Sequence, residues 1–448
     1  MGNMIDYLRS YGQYTFAEKE FNSVDSLVLS QFTYLKFDGL VPAPFQKRKG
    51  VKLLDILVHP ERNKMFVDER YEKANRGLFE AMVFSKRYQN MRLNHYAMRT
   101  DTQTETQFCA ITFYLDEDLT FVAYRGTDET LVGWKEDLNM TFLCPVPGQQ
   151  YATEYLNAIG KKIDTPFLVG GHSKGGNLAV YASLKCEKEV QEKIKVIYNN
   201  DGPGFRKEVF ADGEYEKLSK RIVKTVPQAS FFGMLLQDEK ECQIVKSSEV
   251  GIRQHNPYTW RIKDGAFIFA EELFEKQQKL NRSLNAWFFS LNDEQLKIFA
   301  TTLFDVIGAT EADTVIELSE EWKINRIKMV HAIGGLDGET KRKILEIIRI
   351  LFIINRTFKG EKKKVSSHEV ESRKYIEQKK QPVEEKMEVS EQIEFGKIWM
   401  LHGKDGEKQI IEFDELKELV VHPIKTIKRM RTRKNAKKGI AHIDARRN

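Results

Sequence analysis

With 448 residues, 41% of them hydrophobic and 30% charged, the chain is too long for one small domain. It can hold a full-sized core plus an appendage, and its composition is that of a globular protein rather than a disordered or membrane-embedded one. The net charge of +6 is unevenly placed: from Val421 to Asn448 ten Lys and Arg face a single acid, Asp444, so the rest of the chain is net negative and is not itself a polyanion binder.

Cys109, Cys144, Cys186 and Cys242 are far apart and form no CxxC pair. Such spacing argues against a zinc site or a disulfide framework and suits a reducing cytoplasm. The opening "MGNMIDYLRSYGQY" lacks the basic-then-apolar layout of a signal peptide, and Asp6 stands where a myristoylation signal wants Ser or Thr. The best apolar run, Ile344 to Ile354, is interrupted by Glu346 and Arg349 and reads as a packed amphipathic helix rather than a membrane span.

Residues 1–100 read as mostly helical, with apolar residues at helical spacing over Val24–Leu35 and Arg76–Tyr88. The period then changes. Phe108–Leu115 and Leu119–Gly126 are β-rich runs joined by Asp116-Glu117-Asp118, a predicted hairpin. Helices are expected near Leu131–Phe142 and Gln149–Ile163. After them come strand Phe167–Gly170, helix Gly176–Cys186, strand Ile194–Tyr198, helix Arg206–Lys220, and strands Ile222–Val226 and Gln243–Lys246. Alternation of this kind predicts an α/β fold, a mostly parallel sheet with helices on both faces.

The domain plan that follows is a body over residues 1–275, a helical extension over 276–358, and a charged linker over 359–391 rich in Lys, Glu, Ser and Gln. A small patterned segment over 392–422, read as a hairpin turning near Lys404-Asp405-Gly406, precedes a basic tail over 423–448. No internal repeat is visible.

The chemistry centres on "FLVGGHSKGGNLAVYAS", Phe167 to Ser183. Gly171-His172-Ser173-Lys174-Gly175 matches G-x-S-x-G, in which a serine on a strained strand-to-helix turn projects its hydroxyl above a sheet. The five letters alone are weak evidence, but a strand ends just before them and an apolar helix begins just after, the context the motif requires. The bland alternative is a glycine-rich turn without chemistry, or one that cradles a phosphate.

A nucleophilic serine needs a base, and the base needs an orienting acid. Of the nine histidines, His59 and His95 precede the serine, and His172, inside the elbow, is expected to point away from the hydroxyl. His368, His402, His422 and His442 lie in the linker and beyond. His255, in a polar loop after the Gln243–Lys246 strand, is favoured as base over His331, which lies on an apolar stretch. For the acid, Asp201 ends the strand after the elbow helix, where a side chain faces the ligand crevice. It is favoured over Asp238, in a charged turn, and over Asp212, on a solvated stretch. The bland reading of Asp201 is an ordinary Asp-Gly turn residue.

The tetrahedral intermediate also needs N–H donors. Lys174, after the nucleophile, supplies one; Thr127 in Arg125-Gly126-Thr127 supplies the other, its hydroxyl adding a third donor. An N-cap for the following helix at Thr127 or Asp128 is the alternative role of that loop.

"FVAYRGTD…GWKEDL" together with "LVGGHSKGGNLAVYAS" resembles the class 3 lipase branch of the α/β-hydrolases. With "FNSVDSLVLSQFTYLKFDG", "NNDGPGF" and "VKSSEVGIRQHNPYTW" added, the chain is more similar still to the Mbeg-like bacterial domain family, an α/β-hydrolase-like group, over roughly residues 1–270. The resemblance implies an α/β-hydrolase fold, Ser173 as nucleophile, His255 as base, and Thr127 and Lys174 as oxyanion donors. Class 3 lipases take the acid from the strand after "RIVKTVP", where this chain has Gln228, Ala229 and Ser230; that departure supports Asp201. The segment Ser230–Leu236 then reads as an apolar lip suited to an acyl chain.

The expected function is a serine esterase or lipase acting on a carboxylic ester, a small molecule or a lipid, without metal or organic cofactor. The alternative is a weak or inactive hydrolase-fold protein whose C-terminal region recruits a partner or an anionic surface. The tail suits weak electrostatic contact with such a surface and carries no recognition module for nucleic acid. The expected location is cytoplasmic, membrane association through the tail being the variant that its charge leaves open. Oligomeric state is not legible.

Overall fold

In the computed structural model the first two helices begin where the sequence supplies caps. α1 (Met4–Tyr11) starts from Asn3 and α2 (Ser23–Phe32) from Asn22, each in a capping box closed by an acid at the third helical position, Asp6 and Asp25. The structure describes residues 2–308 apart from 47–49, 68–70, 129, 141–142, 207–208, 210–212 and 238–240, and beyond 308 only residues 328–329, 338, 341–342, 344–345, 401–402 and 408–409.

β1 (Val51–Lys52), α3 (Leu53–Leu57) and α4 (Glu72–Val83) lead to three antiparallel strands, β2 (Arg92–Asp101), β3 (Thr106–Asp116) and β4 (Leu119–Tyr124). The hairpin expected at Asp116-Glu117-Asp118 is present. β2 was not expected: its ladder with β3 is broken by a bulge between Asn94 and Ala97, with His95 at a φ of 57°. A bulge erases the alternation by which a strand is read from sequence.

Helices α5 (Leu131–Asn139) and α6 (Pro147–Gly160) precede β5 (Phe167–His172), α7 (Lys174–Lys185), α8 (Lys188–Lys193) and β6 (Ile194–Asn200). α9 (Glu214–Ser219), β7 (Ile222–Pro227) and β8 (Gln243–Val245) follow. Strands β4 to β8 run parallel in sequential order. Short strands β9 (Ile262–Lys263) and β10 (Ala266–Phe267) pair with each other, and β11 (Phe269–Ala270) closes the edge of the nine-stranded sheet antiparallel to β8. The sheet is thus parallel through the segment that carries the elbow and antiparallel at both edges.

Side-chain alternation assigns its two faces. Val122, Tyr124, Val169 and Ile197 join Leu156 and Ile159 of α6 and Leu178 and Ala182 of α7 in one core. Phe121 and Tyr198 turn the other way, against Phe21 at 5.5 and 5.7 Å, and Phe113 meets Phe32 of α2 at 6.0 Å. This is a sheet covered on both faces, the α/β-hydrolase architecture. α10 (Glu275–Ser290) and α11 (Asp293–Gly308) carry the helical extension, and Phe299 and Leu303 of α11 pack with Trp134 and Leu138 of α5.

Residues 370–448 form a second unit, of which the structure describes β12 (Leu401–His402) paired antiparallel with β13 (Lys408–Gln409), in keeping with the expected hairpin. The charged linker and the basic tail lie outside the described residues. Among the described residues no helix is long and apolar enough to cross a membrane.

One buried ion pair holds the N-terminal layer. Arg87 and Asp25 have fully buried side chains 2.6 Å apart. Arg87 also donates to the carbonyls of Lys19 and Glu20, and Tyr7 and Tyr88 donate to Asp25. Every polar atom here has a partner, so losing one leaves an uncompensated charge. Arg87→Met is expected to destabilise the protein by about 3–5 kcal/mol, read as a lower urea midpoint; a loss below about 1 kcal/mol would show that the pair is dispensable.

Candidate active site

Ser173 occupies the turn between β5 and α7 at φ 58°, ψ −134°, a conformation that costs a non-glycine residue energy and persists only where its surroundings enforce it. The enforcement is visible. The Ser173 N–H donates to the Asn200 carbonyl at 2.9 Å, and the Gly176 N–H donates to the Ser173 carbonyl at 2.9 Å. A Cβ on Gly175 would strike the Tyr124 carbonyl at the end of β4, and one on Gly126 would lie 2.5 Å from the His172 carbonyl oxygen. The turn closes because those two positions carry no side chain.

His255 ends a 3-10 turn, Gly251–His255. Neighbouring residues pin it: Trp260 donates its indole N–H to the Gln254 carbonyl at 2.8 Å, and the Gln254 amide oxygen accepts from the Ala229 N–H at 2.7 Å. Its Nε2 is 3.1 Å from the Ser173 Oγ and its Nδ1 2.6 Å from the Asp201 Oδ2. Beside a carboxylate Nδ1 carries the proton, so Nε2 is the acceptor facing the serine hydroxyl.

Asp201, fully buried, is fixed at the tip of β6. Its N–H donates to the Thr225 carbonyl at 2.8 Å, and Oδ1 accepts from the Ser230 hydroxyl. Ser230 follows the end of β7, and its hydroxyl reaches across to the carboxylate at the tip of the neighbouring strand β6. The structure therefore brings Ser173, His255 and Asp201 into one relay. Asp238, Asp212 and His331 lie outside the described residues.

The Mbeg1-like family profile matches residues 82–305, half of the chain. The chain belongs to the Mbeg1-like family. No curated protein matches it in sequence. Among solved structures, M37 lipase is similar at 14% identity over 59% of this chain and 80% of its own, with a TM-score of 0.32. The family match runs from the end of α4 into α11, so it spans every strand of the nine-stranded sheet but β1, together with α10, and leaves out α1 and α2; Gln31 of α2 and nearby Tyr34 line the cavity at Ser173.

In this Mbeg1-like chain Thr127 and Ser173 line one cavity, and Lys174 opens α7, where the first N–H groups have no intrahelical acceptor. Two expectations about the loop after β4 need correcting. The Thr127 hydroxyl donates to Asp137 Oδ2 at 2.6 Å, which removes it as a third donor. The N-cap of α5 is Thr130, whose Oγ1 accepts from the Gly133 N–H at 3.3 Å and donates to Asp128 Oδ1 at 2.6 Å.

His172 is also placed differently from expectation. Its ring lies 4.7 Å from the His255 ring, Nε2 donates to the His255 carbonyl at 3.0 Å, and Nδ1 is left to accept from the Tyr34 hydroxyl at 3.3 Å. It braces the base rather than leaving the site. On its other side the His255 ring packs on Phe232 at 4.6 Å, and Phe232 meets Trp134 at 5.5 Å.

The sequence reading missed Glu136 and Asp137, adjacent acids in "GWKEDL"; two acids in succession on one helix near a candidate oxyanion loop were the available signal. Burial pushes the Asp137 carboxyl up to about 6, against the pull of the Lys174 ammonium and the Thr127 hydroxyl. Burial likewise pushes Lys224 down to about 8, its ammonium donating to the Gly202 carbonyl beside Asp201. The cavity at Ser173 measures about 40 Å³. A larger one of about 1060 Å³ is lined by Phe205, Met234, Leu236, Leu273 and Phe289 and by none of Ser173, His255 and Asp201. Among the described residues no three or more His, Cys, Asp and Glu side chains gather as a metal-binding group.

An acid whose folded pKa is raised contributes stability at low pH that is lost as pH climbs through the folded value. Relative to Asp137→Asn, the wild type should therefore lose about 2 kcal/mol between pH 4 and pH 6.5. Paired melts across that range measure it, and parallel curves would show that Asp137 ionises as freely as it does unfolded.

Proposed function

We propose that the protein is a serine hydrolase that cleaves a carboxylic ester through a covalent acyl-enzyme. One observation carries the reading: a strained, inward-facing Ser173 hydroxyl 3.1 Å from the acceptor nitrogen of a histidine whose other nitrogen meets a buried aspartate at 2.6 Å. A buried carboxylate, a correctly protonated imidazole and a nucleophile on an elbow are the three parts that acyl transfer needs.

His255 takes the Ser173 proton as Oγ bonds to the ester carbonyl carbon. Asp201 holds the Nδ1 proton in place and stabilises the imidazolium. The carbonyl oxygen, now negative, accepts on this reading from the backbone N–H groups of Thr127 and Lys174. Collapse of the intermediate breaks the C–O bond, His255 protonates the leaving alcohol, and water repeats the cycle on the acyl-enzyme.

For the acyl part, the lip Ser230–Leu236 supports an apolar chain. Phe232 borders the reactive cavity, while Met234 and Leu236 line the larger one. The most suitable substrates on this reading are acyl or lipid esters, and the basic tail offers weak attachment to the anionic surface that presents them.

A fluorophosphonate probe should label the wild type at Ser173 and leave Ser173→Ala unlabelled. On p-nitrophenyl esters, Asp201→Asn should lower kcat by roughly 10³–10⁴-fold with the fold intact. A wild type that neither labels nor turns over any ester of the panel points instead to a hydrolase fold kept for binding.

A further inference from the structure

Lys174 is almost completely buried, at 1% exposure, and Glu136 is at 0%. Taking a charged pair out of water is expensive, and such a pair is weak evidence of a stability role. Its satisfaction here is complete. The Lys174 ammonium donates to Glu136 Oε2 at 2.8 Å, to the Gln107 carbonyl at 2.9 Å and to Gln107 Oε1 at 2.9 Å, using its three N–H bonds. Glu136 in turn accepts from the Gln107 N–H at 3.0 Å and the Gly148 N–H at 2.8 Å.

These bonds tie the start of α7 to three other elements: to β3 through Gln107 and to α5 through Glu136 directly, and to the start of α6 through the Gly148 N–H on Glu136. The residue they converge on is the one directly after Ser173, and its backbone N–H is a donor of the proposed oxyanion hole. The next acid on α5, Asp137, holds the other donor residue through the Thr127 hydroxyl at 2.6 Å and lies 4.0 Å from the Lys174 ammonium.

We propose that the buried Lys174–Glu136 pair, with Gln107, is a positioning device that fixes the peptide between Ser173 and Lys174, and with it the oxyanion donor, rather than a stability element. The side chain reaches away from the reacting atoms into a socket, so the pair never touches substrate. It acts by denying α7 the freedom to rotate its first turn when the strained elbow is loaded. A misplacement of about 1 Å in such a donor is enough to cost on the order of 10²-fold in rate. The inference rests on the hydrolase reading.

The test compares two ways of removing a buried pair. Lys174→Met with Glu136→Gln neutralises the socket while keeping the backbone N–H at 174. Expected is a fall in kcat on a p-nitrophenyl ester of roughly ten- to hundred-fold, with KM within about two-fold and an equal fall in the rate of fluorophosphonate labelling. Arg87→Met with Asp25→Asn removes the other buried pair, whose partners do not line the cavity. It should lower Tm and leave kcat unchanged well below that Tm. Glu136→Asp keeps the charge and withdraws the carboxylate by one methylene, so it tests the same point should the first variant fail to fold, with a several-fold fall expected.

Wild-type kcat in the neutralised socket, or in Glu136→Asp where only that variant folds, overturns the positioning role while the hydrolase reading stands. Equal losses of kcat in the Arg87 control overturn it too. A wild type without turnover or labelling overturns the hydrolase reading and this inference together.

Discussion

The site depends on one strained residue. Ser173 keeps a φ of 58° only because β4, β6 and α7 press on it from three sides: the Tyr124 carbonyl beneath Gly175, the Asn200 carbonyl on its N–H, and the first turn of its own helix. Strain of this kind is a cost of order 1–3 kcal/mol that the surrounding fold has to offset. The offset comes from a sheet buried on both faces, which cannot relax the turn without disturbing packing on two layers. The antiparallel edges serve the same end. They let strands β2 and β3 close one side, while β3 contributes Gln107 to the socket under Lys174.

The elbow was legible in the sequence because its chemistry is local: five residues, a strand before and a helix after. His255 was legible by elimination, since few histidines follow the serine in a segment with strand context. Asp201 was readable because a strand end fixes where its side chain points. What could not be read depends on contacts between segments far apart in the chain. Ser230 looked like the absence of an acid, and only the fold shows that its hydroxyl reaches the aspartate of the adjacent strand. His172 was expected to point away from the hydroxyl, and only the fold shows its ring 4.7 Å from that of His255. β2 was hidden because its bulge destroys the period-2 pattern, and the N-cap of α5 falls at Thr130, two residues past Asp128 and three past Thr127, because Asp128 and Thr130 share a turn.

Charge in the site is arranged in two separate circuits. Asp201 and His255 form one, on the side of β6 and the 3-10 turn. Lys174, Glu136 and Asp137 form the other, on the side of α5. The first links Asp201 to Ser173 through the His255 ring; the second ties Lys174 and Thr127 to α5. Keeping them apart matters, because the acids of the second circuit are held by Lys174 and Thr127 rather than left to compete for the His255 ring. Asp137, pushed up to about 6, is the point where the two come nearest, and its hydrogen bond to Thr127 ties its charge to the loop rather than to the base.

The small cavity adds a steric constraint to this electrostatic one. At about 40 Å³ it is far below the several hundred Å³ of sites that enclose a small-molecule ligand. Its lining includes Phe232, whose ring lies 4.6 Å from that of His255 and 5.5 Å from that of Trp134. Phe232 is also held by what flanks it: Ser230 bonds Asp201, and Asn281 and Asn285 of α10 bond the carbonyls of Ser230 and Met234. The backbone of the lip is thereby anchored at both ends while the Phe232 side chain projects between them. Rotation of that ring would leave the contact between Asp201 and His255 in place, whereas moving the whole segment would pull the Ser230 hydroxyl off Asp201.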